Sequence, residues 1–534
     1  MSPIVELLLK QRGVEDFEKF LYPSIRDLAD PETLPGVAEA AEIILKSVKA
    51  QEQIVVFGDY DCDGICATAI MMLTLRALGA KGEAFLPKRL TEGYGMSDAS
   101  VERLLKEHPQ VQLVITVDNG INSVSQVEFL KSRGVAVVVT DHHLPGETLP
   151  AAMAVVNPKV VSPKSLENIC GAAVAYMLAN QIMKTAKARG DYEGANIGGP
   201  LLVLAGLATV TDIMPLLGQN RILVAEALRR FGKWAPLGLK ELHQRAARTG
   251  FDRLTAKDFS FVLGPRINAA GRLASGEEAL ELVTTLDREI SRECARIVDG
   301  YNVDRKNIEL RMTEAAIAKI VEGAPAQVID LPDGHPGVAG IVAARIMERL
   351  GSTQPVCVLA SGHGSARAPD GFNIRDAFVA CDEVLERYGG HAAAGGFSVK
   401  DNRVDDFRRL LCEYVAKFDL QTSTKQRFEP VLWLEKADIT LELVDELAKL
   451  EPYGEANREP VFGFRQAMLT DVKPLGQDGR HLTLEANGLK AIWWNHGDLV
   501  ESLRAGDPVR DVGFTIEAND YGERHVELRL QHIF

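Results

Sequence analysis

The sequence has no CxxC pair and no Cys/His spacing of a zinc finger, although it holds 7 cysteines in 534 residues. An odd, scattered set excludes a disulfide framework and reads as reduced, mostly buried thiols in a cytosol. No stretch approaches the ~18 uninterrupted apolar residues of a membrane span. Residues 1–12 carry no apolar run long enough for a secretory signal. There is no basic excess either: 60 Lys+Arg against 74 Asp+Glu leave a net charge of −14. That argues against a nucleic-acid coat protein with a broad cationic surface, but leaves room for an enzyme with a local basic channel. There is no internal repeat and no low-complexity segment. What is present is an ordinary globular composition, 46% hydrophobic and 25% charged, long enough for several domains.

Ile54, Val55, Val56 and Phe57 read as a buried strand, and Asp59, Asp61 and Asp63 follow it on alternating positions before Gly64. Like charges gathered at the end of a buried strand are costly unless a cation neutralises them. Divalent metal is the obvious candidate. Open α/β sheets place their chemistry at this end of the strands.

From about 40 to 160 the pattern alternates helix and strand. Strands are predicted at 53–58, 82–87, 113–117 and 135–140, with helices at 38–50, 66–78, 98–107 and 124–133. This βαβ series implies a mostly parallel sheet with right-handed crossovers. Residues 170–231 read as helical, and 277–321 as one long charged helix bridging two domains. A second α/β unit spans 328–418, with a strand at 355–360 and a glycine-rich turn at 389–396. Beyond residue 429, short strand-like runs alternate with turn signals, which suggests a small β-barrel or sandwich.

Three predicted strands end in acid or histidine: Asp59-Tyr60-Asp61-Cys62-Asp63, then Asp118-Asn119-Gly120, then Asp141-His142-His143. In a parallel sheet such ends lie side by side, so the groups converge. Asp212 sits in an otherwise apolar helix, where a carboxylate needs a partner; a helix-end or turn role and metal ligation are both open for it alone. Mixed carboxylate and imidazole donors suit Mn²⁺ or a similar ion better than Ca²⁺. This many donors can hold two ions sharing a carboxylate, an arrangement that serves phosphoryl transfer.

In order and context these motifs resemble those of the DHH phosphoesterase superfamily, and within it the RecJ branch of single-strand-specific 5′→3′ exonucleases. The resemblance runs over most of the chain. It includes Arg89 to Gly95, Gly264 to Arg272, Asn302 to Arg305, Gly337 to Ile341, Gly364 to Arg367 and Gly389 to Gly396. It implies an α/β fold: a parallel-sheet DHH catalytic domain with an N-terminal helical extension (1–275), a connecting helix (276–325), a smaller α/β DHH-associated domain (326–425) and an OB-like barrel (426–534). It implies two Mn²⁺ or Mg²⁺ ions on Asp61, Asp63, Asp118, His142 and Asp212, with Asp118 bridging. Asp59 is a further ligand or a support. His143 would contact the scissile phosphate or a neighbouring carboxylate, and Asp141 would orient the histidines. Water would attack phosphorus, so no protein nucleophile is needed.

Arg266 and Arg272 bracket a Gly/Ala-rich segment read as a loop, and Ser365 and Arg367 lie in a second glycine-rich one. Arginine suits bidentate phosphate binding. For Arg266 a phosphate contact and a surface ion pair are equally open. The resemblance tips Arg272 toward phosphate and places Ser365 and Arg367 at a 5′-terminal phosphate, with Arg89 a further candidate. His391 would face the metal site across a cleft, or merely start a helix in its own domain. In the barrel, Trp433, Trp493, Trp494, Phe462, Phe464 and Tyr521 are possible stacking surfaces for bases. Phe462 and one of Trp493 and Trp494 are expected in the core.

The implied activity is release of 5′-mononucleotides from single-stranded DNA in repair and recombination. A cytoplasmic setting with single-strand-binding protein and a helicase as partners, and no membrane, goes with it. Two alternatives stay open: a DHH-type phosphodiesterase of short oligonucleotides or cyclic dinucleotides, and an inactive scaffold that grips single strands. The C-terminal region argues against the first, and the presence of every expected acid and of His142 against the second.

Overall fold

The computed structural model describes the chain apart from residues 94, 162, 248–249, 252, 419, 421–428 and 521–522. Two units are formed. One comprises Ala29–Met214 and Ala227–Gln426; the other comprises Met1–Leu28, Pro215–Glu226 and Arg427–Phe534.

The first unit opens with a five-stranded sheet of order β2-β1-β3-β4-β5, parallel throughout. Its strands are β1 (Gln53–Phe57), β2 (Lys81–Phe85), β3 (Val111–Val117), β4 (Ala136–Thr140) and β5 (Ala154–Val156). The near-continuous apolar runs of β1, β3 and β4 are those of strands covered on both faces. Ile54, Val55, Val56 and Phe57 are fully buried. Register does the functional work. Phe57 pairs with Thr116, and Thr116 with Val139. Two residues beyond each of these positions come Asp59, Asp118 and Asp141. β5 was not foreseen from the sequence.

The helix after β1 spans Cys62–Ala77 and begins four residues before the expected start at 66. Asp61 is its N-cap, with Oδ1 accepting the Gly64 N–H at 3.0 Å. Asp63 lies in its first turn, where the helix dipole favours negative charge. The acid run is therefore a helix start as well as a strand end.

The same unit holds a second sheet, β6-β7-β8-β10-β9. It is built from β6 (Gln327–Leu331), β7 (Val356–Ala360), β8 (His363–Arg367), β9 (Leu385–Gly390) and β10 (Ala394–Val399). The long helix expected over 277–321 is two, Glu277–Thr284 and Arg288–Ile317. The break comes at Asp287, whose side chain caps the second helix by accepting from the N–H groups of Glu289 and Ile290.

In the second unit, β12 (Phe462–Leu475), β13 (His481–Ala486), β14 (Leu489–Trp493), β15 (Val509–Asn519) and β16 (His525–Ile533) run in the order β12-β13-β14-β16-β15. A β12–β15 pairing closes the barrel. β11 (Leu432–Trp433) adds to β12 in parallel. Phe462, Phe464 and Phe514 fill the core together with Val5, Leu8, Leu9 and Phe20 from the N-terminal helices Pro3–Gln11 and Phe17–Leu21. The first 28 residues thus group with the C-terminal barrel, not with the catalytic domain to which the sequence reading attached them. Their apolar faces find cover in the barrel's own core, a long-range pairing that no local pattern encodes. Arg221 ties the pieces of this unit together. It is 2% exposed. Its guanidinium donates to the carbonyls of Phe20 at 2.8 Å, Leu450 at 3.0 Å, Lys449 at 3.2 Å and Glu451 at 2.7 Å. Burial pushes its pKa down to about 10, which still leaves it charged at neutral pH.

Candidate metal centre

At the carboxyl end of the first sheet, three groups of side chains have donor atoms within 4.8 Å of one another: Asp59, Asp61 and Asp118; Asp63, His142 and Asp212; and Asp118, His142 and His143. Asp118 belongs to two of the groups and so does His142. The expected set is therefore brought together, with Asp118 in the middle and Asp59 among the possible donors.

Each residue is held by its backbone. Asp63 is 2% exposed, and its two oxygens accept the N–H groups of Gly171 and Ala172, both at 2.7 Å. These are the first free amides of the helix Gly171–Arg189, so a helix N-terminus fixes the carboxylate. Asp118 sits at φ 61°, in the left-handed region that aspartate tolerates better than most residues. Its Oδ1 lies 3.1 Å from His142 Nε2, which is also 3.7 Å from Asp63 Oδ2 and 3.7 Å from Asp212 Oδ2. Asp212 is the C-cap of the helix Gly198–Thr211, so its helix-end role and its place among the donors coexist.

Asp141 is not free to bind an ion as the others are. Its Oδ2 accepts the Ile121 N–H at 3.0 Å, and its Oδ1 takes the His142 N–H at 2.7 Å and His143 Nδ1 at 2.7 Å. It orients the two histidines and supplies the carboxylate partner expected for His143. Burial works against charge on both members of that pair, but the pairing wins. Asp141 stays below the usual carboxylate range and His143 is lifted to about 9.

Asp59, Asp63, Asp118 and Asp212 show the opposite behaviour. Burial, then the neighbouring acids, push Asp59 and Asp118 well up, and Asp63 rises for the same reason against the pull of His142. Asp212 is raised to about 8 by burial and by Asp63 and Asp61. Asp59 Oδ2, Asp118 Oδ1 and Asp212 Oδ2 are buried and have no hydrogen-bond partner among the described residues. Carboxylate oxygens that accept no hydrogen bond, in a mutually repelling cluster, are what a site built for cations looks like. The donor set fits Mn²⁺ or Mg²⁺: mainly carboxylate, with one imidazole.

The sign of these shifts gives a test. Asp212 has an ordinary pKa of 3.8 and about 8 when folded. The folded state keeps this proton between those values while the unfolded state releases it. The stability it represents is present below about pH 4 and lost as pH approaches 8. Metal-free protein is expected to melt at progressively lower temperature over that range. Mn²⁺ at 100 times its Kd contributes about 2.7 kcal/mol per ion, or roughly 3 °C for a unit of this size. Thermal melts with and without Mn²⁺ at pH 5 and pH 8 check this. A Mn²⁺ shift no larger at pH 8 than at pH 5 would contradict it.

A cluster of cations lies in the same unit. Arg272 is on the helix Gly264–Leu273, and its Nη1 donates to the Gly337 carbonyl at 3.2 Å. The segment read as a loop is helical because Ala269, Ala270 and Ile267 have a core to face. Ser365 and Arg367 lie on β8, not in a loop; strand alternation puts both on one face. That face meets the helix Pro336–Arg349 at Gly340, where a Cβ would stand 3.0 Å from Arg367 Nη2 and 3.5 Å from Ser365 Oγ. Arg89 sits over the Tyr60 ring, 5.2 Å from its centroid. Burial and then Arg89 lower both Arg272, to about 10, and Arg367. Half-buried guanidinium groups that repel one another call for an anion.

Arg266 is engaged by partners of its own, and His391 lies in a hairpin. Arg266 Nε pairs with Asp299 at 2.9 Å and its Nη1 donates to the Val262 carbonyl at 2.7 Å. His391 is exposed in the hairpin between β9 and β10, so its turn leads into a strand and not a helix. On the barrel, Phe462, Phe464 and Trp493 are core. Trp433 and Trp494 are exposed, each with an arginine over its ring, Arg465 at 4.5 Å and Arg529 at 5.2 Å. Tyr521 lies outside the described residues.

Sequence reasoning missed the amides of Gly171 and Ala172, which hold Asp63. It also missed Asn119, whose Nδ2 ties the ends of β1 and β3 through the carbonyls of Phe57 and Val117. Asn119 carried a signal, because it follows Asp118 directly. The two amides carried none.

Fold and donor set define a phosphoesterase of the DHH class. Residues 53–200 match the DHH family N-terminal domain, 323–417 the DHHA1 domain and 431–532 the RecJ OB domain. The single-stranded-DNA-specific exonuclease RecJ of Bacillus subtilis is 32% identical over 98% of this chain and 67% of its own length. That of Dickeya dadantii is 34% identical over 100% and 96%. The crystal structure of Thermus thermophilus RecJ with Mn²⁺ superposes with a TM-score of 0.85 at 32% identity, covering 100% of this chain and 76% of that one. The chain belongs to the RecJ family.

Proposed function

We propose that this protein is a metal-dependent exonuclease that hydrolyses single-stranded DNA from the 5′ end and releases 5′-mononucleotides. The observation that carries the hydrolytic reading is the trio of overlapping donor groups that share Asp118 and His142. Asp61, Asp63, Asp118, His142 and Asp212, with Asp59 in support, would hold Mn²⁺ or Mg²⁺. Two such ions supply water activation and neutralise charge in phosphoryl transfer. The protein's own contribution is to fix the donors, keep the site dry and hold His143 as a cation on Asp141.

Polarity is assigned to Arg89, Arg272, Ser365 and Arg367, which would hold the 5′-terminal phosphate so that the next linkage meets the metal centre. Trp433 and Trp494 on the barrel would stack unpaired bases. A barrel that matches the RecJ OB domain favours long strands over cyclic dinucleotides as substrate. Work in DNA repair and recombination, in the cytoplasm beside single-strand-binding protein and a helicase, is the setting we propose for it, and family membership supports it. No described helix is long and apolar enough to cross a membrane.

The test uses strands labelled at either end, with and without a 5′ phosphate, incubated with Mn²⁺. Mononucleotide release from the 5′ end is expected, with a preference for the phosphorylated strand. Arg367→Ala should shrink that preference about tenfold, as expected for one charge-assisted hydrogen bond. Release from the 3′ end, or activity confined to short oligomers, would overturn the proposal.

A further inference from the structure

The helix Pro336–Arg349 lies against both Arg272 and Arg367. The Gly337 carbonyl accepts from Arg272 Nη1, and a Cβ on Gly337 would stand 2.2 Å from the Arg272 carbonyl. One turn on, Gly340 leaves room for Arg367 and Ser365. Gly337 and Gly340 share a helix face, being three residues apart. That face is smooth. It lets the neighbouring chain come close, but it offers no ridge to stop the helix from sliding or turning past it. The register of this helix must be set elsewhere along its length.

The helix Arg288–Ile317 is in place to set it. Its Met312 and Ala316 share an apolar core with Val338, Val342 and Ile346. A polar chain runs along the same long helix. Asn302, Arg305 and Glu309 lie on one face of it, at i, i+3 and i+7. Asn302 is buried, and its Oδ1 accepts Arg305 Nη2 at 2.6 Å. Arg305 Nη1 donates to Glu309 Oε2. The other oxygen of the buried Glu309, Oε1, takes Arg345 Nε at 3.2 Å. Arg345 belongs to the helix Pro336–Arg349. The long helix also holds the helix that carries Arg272, because Asp299 Oδ1 pairs with Arg266 Nε at 2.9 Å. Asp299 and Glu309 are about 15 Å apart along the axis. One rigid helix therefore grips, by an ion pair each, the two helices that meet at Arg272 and Gly337. Stability alone does not call for a buried carboxylate here, since apolar replacements often do as well; fixing register is the better-attested use of such a group.

We propose that Glu309 is a positioning residue for the 5′-phosphate site. Held by Arg305 and Asn302, it takes Arg345 and so fixes the register of the helix Pro336–Arg349 between Arg272 and Arg367. The inference rests on the assignment of those two arginines to the terminal phosphate. Glu309 and Arg345 touch neither strand nor metal in this role. They set the spacing of the guanidinium groups that do the binding. Arg266, weighed from sequence as a phosphate ligand, belongs to the same frame through Asp299.

The competing role is structural: the ion pairs would only add stability. Arg345→Ala separates the two, because the Arg345 side chain is 60% exposed and the loss of so exposed an arm leaves folding intact. Arg345→Ala, Arg345→Lys and Glu309→Gln are compared with wild type in single-turnover cleavage at saturating Mn²⁺. Strands with a 5′ phosphate or a 5′ hydroxyl are used over a range of concentrations, beside Mn²⁺ titrations and thermal melts. If Glu309 positions the site, Arg345→Ala raises the half-saturating concentration of the phosphorylated strand about fivefold, the size of one ordinary hydrogen bond. Its plateau rate, its cleavage of the hydroxyl strand and its Mn²⁺ affinity stay those of wild type. Arg345→Lys, which keeps the charge, recovers most of the phosphate preference, and Glu309→Gln loses at least as much of it as Arg345→Ala. Variants that melt lower but keep the wild-type phosphate preference would show a structural role only, and the proposal falls. Equal losses on both strands would overturn it as well. Wild type that shows no preference for a 5′ phosphate would instead sink the assignment of Arg272 and Arg367, and the role of Glu309 with it.

Discussion

Asp118→Asn is expected to abolish cleavage while making the metal-free protein more stable. The substitution keeps shape and volume, and asparagine accepts the φ of 61° at this position as readily as aspartate does. What it removes is a negative charge, 2% exposed, that two of the three donor groups share. Replacing one shared carboxylate disturbs both sides of the centre. A loss of at least about 10³-fold is expected, the upper end for deleting a single electrostatic group. Stability moves the other way. Burial and the nearby Asp63, Asp61, Asp59 and Asp212 all disfavour the Asp118 anion. Asparagine is free of that penalty at every pH. Melting at pH 8 without divalent ion should therefore occur several degrees higher in the variant, and added Mn²⁺ should raise it less than it raises wild type. Activity within tenfold of wild type would remove Asp118 from the centre. A lower metal-free melting temperature would show that the site is not strained by its charges.

That opposition explains why so much of the centre could be read from sequence. Acids at successive strand ends violate the rule that buried charge is paired, and such violations mark functional sites. Strand period and βαβ order then place Asp59, Asp118 and Asp141 side by side without any knowledge of distant contacts. Legibility stopped where placement depends on partners far along the chain. Arg272 and Arg367 were read as loop residues because glycine and alanine are frequent around them. In the fold those small residues are packing surfaces: Gly340 is small where Arg367 passes, and Gly271 where the Tyr60 carbonyl approaches. The N-terminal helices were assigned to the neighbouring domain because adjacency in sequence was the only guide. β5 is too short for its periodicity to show.

Gly171→Ala should be nearly as damaging as loss of a ligand, although Gly171 binds nothing through a side chain. Local propensity predicts the opposite. Gly171 opens a helix of 19 residues, where alanine is favoured over glycine by about 1 kcal/mol in the interior and by less at the end. The surroundings decide otherwise. A Cβ here would lie 2.5 Å from Asp118 Oδ1, 2.6 Å from its Cβ and 2.7 Å from its Cγ. These are far inside contact distance, and the Asp118 Cβ can move only with the strand-end backbone that carries it. Either Asp118 turns away from His142, or the helix backs off and takes with it the amide that holds Asp63 Oδ2 at 2.7 Å. Both routes separate the donors. A loss of about 10²-fold or more in rate is expected, since placement errors near 1 Å cost that much, together with weaker Mn²⁺ binding and near-wild-type circular dichroism. Ala172→Gly is the control. It keeps the second amide on Asp63, so its cost is confined to stability, about 1 kcal/mol or less, with activity retained. Mn²⁺ titration of both variants separates the cases. Full activity in Gly171→Ala would mean that the helix start and the metal centre are not the tightly fitted pair the structure describes.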